Sequence, residues 1–206
     1  MIKIVILLII AYFLGSIPNG VWVGKKFFNV DIRKHGSKNI GATNTYRVLG
    51  PVAGTIVMVL DISKGFVATW LPIQFGISSW YPLIFGVAAI LGHTYSIFDH
   101  FKGGKAVAAS AGMLLAYNPT FFLIAAVAFV SCIFITSTVS LGSIGGFLIT
   151  LLSSYFFHDI ALMVLAFCLT CFTIYRHRNN IKKIIQRKEN IVDFGLYYWY
   201  LKYVKK

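Results

Sequence analysis

The strongest constraint on the fold is a series of apolar segments long enough to enter or cross a lipid bilayer. Residues 4–24 contain no charged side chain. At about 1.5 Å of rise per residue, a helix of that length matches a hydrocarbon core of about 30 Å. Hydrophobic residues make up 58% of the chain and charged residues only 12%, which excludes a soluble domain with a polar surface. The sequence therefore predicts an all-α integral membrane protein.

The apolar segments predict about seven transmembrane helices in one catalytic domain that comprises residues 1–206. The predicted spans are about 4–24, 51–72, 80–100, 106–117, 119–138, 140–157 and 159–175. Asn118-Pro119 separates two of them, because proline is unfavourable inside a helix. An alternative with five spans joins 106–138 and 140–175 into two long helices. Both interpretations leave the same polar loops on one side of the membrane.

The basic residues are concentrated in three regions. Six of the 19 lie between Lys25 and Arg47, nine follow Tyr175, and Lys102 and Lys105 lie in a third polar segment. The positive-inside rule places all three regions in the cytoplasm, which puts the N-terminus outside and the C-terminus inside. The predicted cytoplasmic loops are 25–50, 99–105 and 176–190, followed by a basic aromatic tail at 191–206. Because the charge is arranged by topology, the net charge of +13 does not predict a nucleic-acid partner.

The first polar loop, from Gly36 to Arg47, has the composition of a phosphate-binding loop. Glycine lets the backbone approach a ligand closely, and arginine supplies a charged, forked donor. Neutral donors are supplied by Ser37, Asn39, Thr43 and Asn44. The second loop ends in Gly103-Gly104-Lys105 before a predicted helix, where free backbone N–H groups and the helix dipole favour a phosphate. It is not a Walker A loop, because Ala106 replaces the magnesium-binding Ser or Thr.

The third region begins where the last apolar segment ends. Most of its basic residues are explained as topology determinants and lipid contacts. His177 and Asn180 are not needed for that role, and their spacing of three places them on one face of a helix that continues out of the membrane.

In this order, the three motifs resemble those of the bacterial acyl-phosphate:glycerol-3-phosphate acyltransferase family. The first motif of that family is matched by Asp31, Arg33, Gly36, Ser37, Asn39, Gly41, Asn44 and Arg47. The second is matched by Gly92, His93, Phe101, Gly103, Gly104 and Lys105, and the third by Arg176, His177, Asn180, Ile181 and Glu189. The chain departs from the family pattern at Ala106, where glycine is common.

The resemblance implies an enzyme of phospholipid biosynthesis in the bacterial inner membrane, with its active site facing the cytoplasm. Such an enzyme transfers a fatty acyl group from acyl phosphate to the sn-1 hydroxyl of glycerol 3-phosphate. The products are 1-acyl-sn-glycerol 3-phosphate, which is lysophosphatidic acid, and inorganic phosphate. The implied partners are these two substrates, membrane lipid and a soluble enzyme that forms the acyl phosphate. No His is followed five residues later by Asp, so the motif of acyl-CoA-dependent enzymes is missing. Six scattered acidic residues predict no metal, and we expect no cofactor.

The resemblance also implies roles for individual residues. Arg47 and Lys105 hold phosphate groups, with Gly103, Gly104, Asn39, Thr43 and Asn44 as further substrate-binding residues. The catalytic set is His177, Ser37 and Asn180. His177 acts in one of two ways. It is the general base toward the hydroxyl, or it positions the hydroxyl through a hydrogen bond while a phosphate oxygen of the acyl phosphate takes the proton. Asn180 either orients His177 or binds the glycerol hydroxyls.

Four residues are expected to support the site. Glu189 pairs with a basic neighbour, and His93 holds the shape of the second loop. Asp61 and Lys64, three apart in an apolar span, form an intramembrane ion pair, which is either functional or structural.

A transporter and a structural membrane subunit are the two alternatives to an enzyme. A small transporter or flippase for a phosphorylated solute or an anionic lipid would explain the intramembrane charges, but the polar motifs all lie on one side and no internal repeat is present. A structural membrane subunit would not explain two Gly-rich basic loops and a His-Asn pair. The tail 191–206 is expected to lie on the membrane surface as an amphipathic segment, with a disordered tail as the alternative.

Overall fold

The computed structural model describes residues 2–77 and 81–204, and the regular elements within these ranges are all helical. The chain divides into two compact units, Met1–Pro119 and Thr120–Lys206. The first unit contains α1 (Ile2–Ser16), α2 (Asn19–Phe28), α3 (Ala42–Leu49), α4 (Pro51–Gln74), α5 (Tyr81–Thr94) and α6 (Val107–Tyr117). From the boundary onward follow α7 (Pro119–Thr136), α8 (Val139–Ser154), α9 (Ile160–Arg176), α10 (Arg178–Ile185) and α11 (Leu196–Tyr203).

Four of these helical segments are long and apolar enough to cross a membrane. They are Pro51–Gln74, Tyr81–Asp99, Pro119–Thr136 and Val139–Phe157. The number rises to six if each of two bent helix pairs counts as one span. Helix α6 has 11 residues, and at about 16 Å it is shorter than the hydrocarbon core. The chain is therefore an α-helical membrane protein with four to six candidate spans.

The first predicted span is not one continuous helix. The structure interrupts residues 4–24 at Ile17-Pro18, and α1 and α2 meet there at an angle of 45°. Pro18 has no backbone N–H to donate, and its ring excludes the carbonyl that a continuing helix would place there. The break turns the backbone carbonyl of Ile17 toward the Lys64 ammonium, at 3.2 Å.

Two other local predictions were wrong in form. The polar loop predicted at Gly36–Arg47 becomes helical at Ala42, so Thr43, Asn44 and Arg47 lie on α3. The helix predicted to continue past the last span bends by 58° at His177, which ends α9 and precedes α10. Neither change is visible in hydropathy, because both occur within polar sequence.

Close helix packing builds the first unit. Helix α1 packs mainly on α5, and α4 mainly on α6. A Cβ atom on Gly65 would lie 2.0 Å from the carbonyl oxygen of Ala109, and one on Gly112 would lie 1.8 Å from that of Ile62. Because glycine carries no side chain at these points, the backbones of α4 and α6 approach each other directly. In the second unit, α8 packs on α9.

Some predicted segments fall partly outside the described residues. The third predicted span starts at Trp80, and the preceding connection includes Ser78 and Ser79. The end of the tail includes Lys205 and Lys206. All five residues lie outside the described ranges.

Candidate active site

Asn44 is the centre of the first polar loop. Its side-chain amide donates to three backbone carbonyls, those of Ile32 (3.0 Å), His35 (3.2 Å) and Asn39 (2.9 Å). Its carbonyl oxygen accepts from the backbone N–H of Ser37 at 2.8 Å. The residue is 1% exposed, so these hydrogen bonds replace those that water would make. The arrangement commits Asn44 to the shape of the loop.

The other polar side chains of this loop point outward. Ser37, Thr43 and Arg47 are exposed, and their side chains make no hydrogen bond to another described residue. Thr43 and Arg47 are four residues apart on α3, which places them on one face of the helix. Gly36 lies beneath the Arg47 side chain: a Cβ on Gly36 would be 3.5 Å from Arg47 Cδ. The turn at Gly36-Ser37 and the guanidinium-bearing side chain therefore lie side by side.

Asn39 has a partly local role. Its side-chain oxygen accepts from the backbone N–H of Gly41 at 3.0 Å, which stabilises the turn just before α3. The residue is half-buried and lines a cleft described below.

The second loop lies directly on the end of α5. The backbone N–H of Gly104 donates to the carbonyl oxygen of His93 at 3.0 Å. A Cβ on Gly104 would lie 2.0 Å from His93 Nε2, and one on Gly103 would lie 2.2 Å from the His93 carbonyl oxygen. Larger residues at either position would push the loop off the helix end. Lys105 is half-buried and precedes α6, whose first residue is Val107.

Arg33 joins the two loops. Its guanidinium donates to Asp31 through Nε, at 2.8 Å, and through Nη2, at 2.5 Å. Its Nη1 donates to Asp99 in the second loop. The hydrogen bond from Arg33 holds the pKa of the Asp31 carboxyl well below its usual range, and Lys25, at 3.8 Å, acts in the same direction. The same bond to Asp31, followed by the one to Asp99, raises the pKa of Arg33.

The sequence interpretation gave no separate role to this bridge. The signal that was available is the Asp31-x-Arg33 spacing, which lets the carboxylate cap its own short 3₁₀ turn through the Arg33 N–H, at 3.1 Å. Asp99, 66 residues away, carries no local signal.

A cleft of about 300 Å³ opens between the two loops. It is lined by Arg33, Lys38, Asn39, Ile40, Asp99, His100, Lys102 and Gly103. Two of the predicted substrate-binding residues, Asn39 and Gly103, belong to this set; Arg47 and Lys105 do not. Two carboxylates already compensate Arg33, whereas Lys38 and Lys102 have no carboxylate within 4 Å in the described chain. The cleft therefore carries excess positive charge, which attracts anions.

A buried polar network supports the second loop from below. Asp61 Oδ1 lies 2.8 Å from Lys64 Nζ, accepts from Asn19 Nδ2 at 3.0 Å, and lies 3.8 Å from His93 Nδ1. The side chains of Asp61 and Lys64 are each 3% exposed. The predicted ion pair thus forms, and it connects the α1–α2 break to the histidine on which Gly103 and Gly104 rest.

His177 is held at the bend between α9 and α10. It is 2% exposed, and its Nδ1 lies 2.9 Å from the carbonyl oxygen of Thr173. A carbonyl oxygen only accepts hydrogen bonds, so this bond requires the proton on Nδ1. The neutral ring then carries its lone pair on Nε2. The backbone carbonyl of His177 accepts from the N–H of Ile181 at 2.9 Å, which is the hydrogen bond that begins α10. The backbone on both sides of the ring is therefore held by the bend.

Asn180 is held by Glu189. Asn180 Nδ2 donates to Glu189 Oε1 at 2.6 Å, and Ser140 Oγ donates to the same oxygen at 2.7 Å. The sequence predicts that Glu189 pairs with a basic neighbour, whereas the contacts to its carboxylate among the described residues come from neutral donors. Glu189 Oε2 is buried and has no hydrogen-bond partner among the described residues. Two neutral donors, Ser140 on α8 and Asn180 on α10, therefore satisfy one oxygen of the carboxylate.

The predicted site residues thus fall into two groups. In the first unit, the bridge through Arg33 joins the loop of Ser37 and Arg47 to the loop of Gly103 and Gly104. In the second unit, His177, Asn180 and Glu189 lie within one helical bend and its following turn.

Comparison with known proteins finds matches over nearly the whole chain. The family model described as glycerol-3-phosphate acyltransferase matches residues 5–187. The chain is 61% identical to the glycerol-3-phosphate acyltransferase of Levilactobacillus brevis, over 94% of this chain and 95% of that protein. It is 54% identical to that of Enterococcus faecalis, over 94% of each chain.

Solved structures are similar as well. The crystal structure of PlsY (YgiH), an integral membrane glycerol 3-phosphate acyltransferase, in its glycerol 3-phosphate form matches with a TM-score of 0.85 and 36% identity, over 92% of this chain and 96% of that one. Its lysophosphatidic acid form matches with a TM-score of 0.83. The chain belongs to the glycerol-3-phosphate acyltransferase family.

Proposed function

We propose that this chain transfers a fatty acyl group from acyl phosphate to the sn-1 hydroxyl of glycerol 3-phosphate. The bond between the acyl carbon and the phosphate oxygen breaks, an ester bond to the glycerol oxygen forms, and the hydroxyl proton is released. The products are 1-acyl-sn-glycerol 3-phosphate and inorganic phosphate. The observation that carries the proposal is the similarity to one solved acyltransferase captured in both a glycerol 3-phosphate form and a lysophosphatidic acid form.

Acyl phosphate as the donor suits the residues available. It is a mixed anhydride, so its phosphate leaves without strong assistance, and the protein has mainly to bring two anions together and orient a hydroxyl. The excess charge of Lys38 and Lys102 at the cleft offsets the repulsion between those anions. Chemistry on acyl-CoA by the His-x4-Asp route would need a motif that the sequence lacks.

The phosphate groups are bound by the exposed face of the first loop and by the second loop. Arg47 supplies two parallel donors to phosphate oxygens, and Ser37 and Thr43 supply hydroxyls beside it. Lys105 adds a point charge at the end of the Gly103-Gly104 segment. Asn44 contributes indirectly, since its four hydrogen bonds set the course of the backbone that carries Ser37.

His177 and Asn180 act on the attacking hydroxyl. Two routes are open for the proton: His177 Nε2 takes it, or His177 orients the hydroxyl while a phosphate oxygen of the acyl donor takes it. The bond from Nδ1 to the Thr173 carbonyl is compatible with the first route, because it leaves the lone pair on Nε2. The pH dependence of kcat in wild type and in His177→Asn separates the routes. If His177 is the general base, kcat of the wild type falls at low pH and this fall is absent in His177→Asn; on the second route the two profiles have the same shape.

The same proposal includes a topology. The chain crosses the bacterial inner membrane seven times, with the N-terminus outside and its three basic regions and active site in the cytoplasm, as one catalytic domain of residues 1–206. The distribution of Lys and Arg supports it. Further proposed partners are membrane lipid and a soluble enzyme that supplies acyl phosphate. Single cysteines introduced at Lys34 and Asp159 should react with a membrane-impermeant reagent from opposite sides.

The test is product formation by purified protein. Palmitoyl phosphate or palmitoyl-CoA is supplied with radiolabelled glycerol 3-phosphate, and lysophosphatidic acid and phosphate are measured. We expect product from the acyl phosphate only. Arg47→Ala and His177→Ala should each lower kcat/KM by about 10²-fold or more.

Matched controls are available on the same loop. Lys34→Ala removes an exposed basic residue outside the cleft, and His35→Ala removes an exposed histidine whose contribution to the loop is its backbone carbonyl. Both should retain wild-type rates. No product from either donor in folded protein would contradict the proposal and make transport of a phosphorylated solute or anionic lipid the leading alternative.

A further inference from the structure

The C-terminal segment after Glu189 makes two hydrogen bonds to Ser137, elsewhere in the second unit. This residue forms the junction between α7 and α8 and is fully buried. Its carbonyl accepts from the backbone N–H of Val192 at 2.8 Å, and its hydroxyl accepts from the backbone N–H of Tyr198 at 2.9 Å. Residues beyond 187 lie outside the family-model match.

The hydroxyl of Ser137 caps α11. Tyr198 is the third residue of that helix, and its N–H is one of the first-turn donors that have no partner within a helix. Gly195, which precedes α11, has no side chain to supply the cap. A residue about 60 positions earlier therefore performs the function that a Ser or Asp before the helix usually performs.

Gly195 makes the close approach possible. Its φ of 101° lies in a region that residues with a side chain rarely adopt. A Cβ there would lie 2.5 Å from the Phe134 carbonyl oxygen and 2.7 Å from Ser137 Oγ. The Trp199 ring then packs edge-on against Phe134, with centroids 5.8 Å apart. These contacts define one docked position.

The same junction holds the residue that binds Asn180. Ser140, three residues after Ser137, donates to Glu189 Oε1, and Asn180 donates to that same oxygen. Only two residues separate Glu189 from Val192, the first docked residue of the tail. Glu189 is thus held by the α8 start on one side and by the docked tail on the other.

We propose that residues 190–204 form a strap that positions Asn180 through Glu189, with Ser137 and Gly195 as positioning residues for the reaction. This inference rests on the proposed role of Asn180 beside His177. The φ of 50° at Ser137, uncommon for a residue with a side chain, is maintained by the surrounding contacts at the point where strap and junction meet. Undocking the strap leaves the Glu189 carboxylate with the hydrogen bonds from Ser140 and Asn180 but without the support of the docked tail, so the Asn180 amide becomes less ordered.

The experiment compares Gly195→Ala and Ser137→Ala with wild type. Each should lower kcat about fivefold to tenfold, which is the effect expected from the free energy of one lost hydrogen bond. The KM for both substrates should change less than twofold. Gly76→Ala is the matched control, because Gly76 also has a positive φ, of 75°, but a Cβ there meets nothing within 4 Å. That control should retain the wild-type kcat.

A double-mutant cycle identifies the route. If the strap acts through Asn180, adding Gly195→Ala to Asn180→Ala lowers kcat no further. Full additivity of the two effects would overturn the proposal, as would an unchanged kcat in a variant whose tail is undocked.

Hydrogen exchange supplies a readout that does not depend on activity. In both variants we expect faster exchange at the amides of Val192 and Tyr198 and also within α10, which carries Asn180. Acceleration confined to the tail would overturn the strap, whichever substrates the enzyme uses. A wild-type protein without activity toward either donor, but with coupled exchange of tail and α10, would contradict the proposed function and leave the mechanical coupling established.

Discussion

Two ion-pair networks of the first unit hold the same polar loop, one with Arg33 at its centre and the other with Asp61. Arg33 reaches the loop at Asp99, and Asp61 reaches it through His93, on which Gly104 rests. The Arg33 side chain is 33% exposed, whereas those of Asp61 and Lys64 are each 3% exposed.

The difference in exposure changes what each network contributes. When a partly exposed pair breaks, water solvates the separated charges, so the pair mainly sets the geometry of the loop. When a buried pair loses one member, the remaining charge has no substitute for it. We therefore expect loss of an Arg33 contact mainly to change the geometry of the cleft, and loss of one partner of the Asp61–Lys64 pair mainly to lower the stability of the first unit.

The largest expected effect is that of Asp61→Asn. The variant leaves the Lys64 ammonium buried without a counter-ion, which typically costs about 3–5 kcal/mol of stability. The thermal midpoint in detergent should fall markedly. Asp61→Asn combined with Lys64→Met removes both charges and should recover most of that loss. If Asp61→Asn had the same thermal midpoint as the wild type, the two networks would not differ in their contribution to stability.

Arg33→Gln should have an intermediate effect. It leaves Asp99, whose side chain is 5% exposed, without its charged donor, and hydrogen bonds to charged groups contribute about 1.5–3 kcal/mol. Because Arg33 also lines the cleft, KM for glycerol 3-phosphate should rise. Lys34→Gln changes the same charge on an exposed neighbour and serves as the control. Arg33→Lys should rescue little, since one ammonium cannot span both carboxylates in the geometry of the fork. Full rescue would show that charge alone matters there.

The loss of stability at low pH should depend on Asp31. Its pKa is lowered in the folded protein, so its contribution is present above the unfolded pKa of about 3.9 and is lost as the pH falls below that value. Thermal midpoints measured from pH 5 downward should therefore decline less steeply in Asp31→Asn than in wild type. Asp193 is exposed and has no ion pair with another residue that the structure describes, so Asp193→Asn should follow the wild-type curve. Equal slopes in all three proteins would contradict the role of the pair.

The smallest expected effect is a gain from Ala106→Gly. Ala106 ends the loop that both networks hold, is fully buried, and has a φ of 70°. The left-handed conformation costs a residue with a side chain about 1–2 kcal/mol, and glycine avoids this cost. Part of the gain is lost again, because the more flexible glycine loses about 0.5–1 kcal/mol more conformational entropy on folding than alanine does. The thermal midpoint should rise slightly, whereas Ala109→Gly within α6 should lower it by the usual helix penalty of about 1 kcal/mol. A loss of stability in Ala106→Gly would show that the methyl group packs more favourably than the strain costs.

Several features of the site were accessible from sequence because they depend on neighbouring residues. The polar character of Gly36–Arg47, the Gly103-Gly104-Lys105 segment and the His177-x-x-Asn180 spacing can each be read within a dozen residues. The local sequence does not reveal that Asn44, which is predicted to bind substrate, uses its side-chain amide on the loop backbone. Nor does it reveal the neutral donors of Glu189, because the direction of a carboxylate among basic residues depends on how the helices pack.

The sequence by itself determined the class of this protein: apolar segments of membrane length, helices close to the predicted bounds, and basic loops between them. Hydropathy over about 20 residues is a sum of local contributions, so it does not depend on which element packs against which. Only the tertiary structure decided the partners of the polar groups. Arg33 meets Asp99 across 66 positions, Asn19 meets Asp61 across 42, and Ser137 caps a helix 61 positions away. Hydrogen bonds are short and directional, so these pairs exist only once the helices have packed.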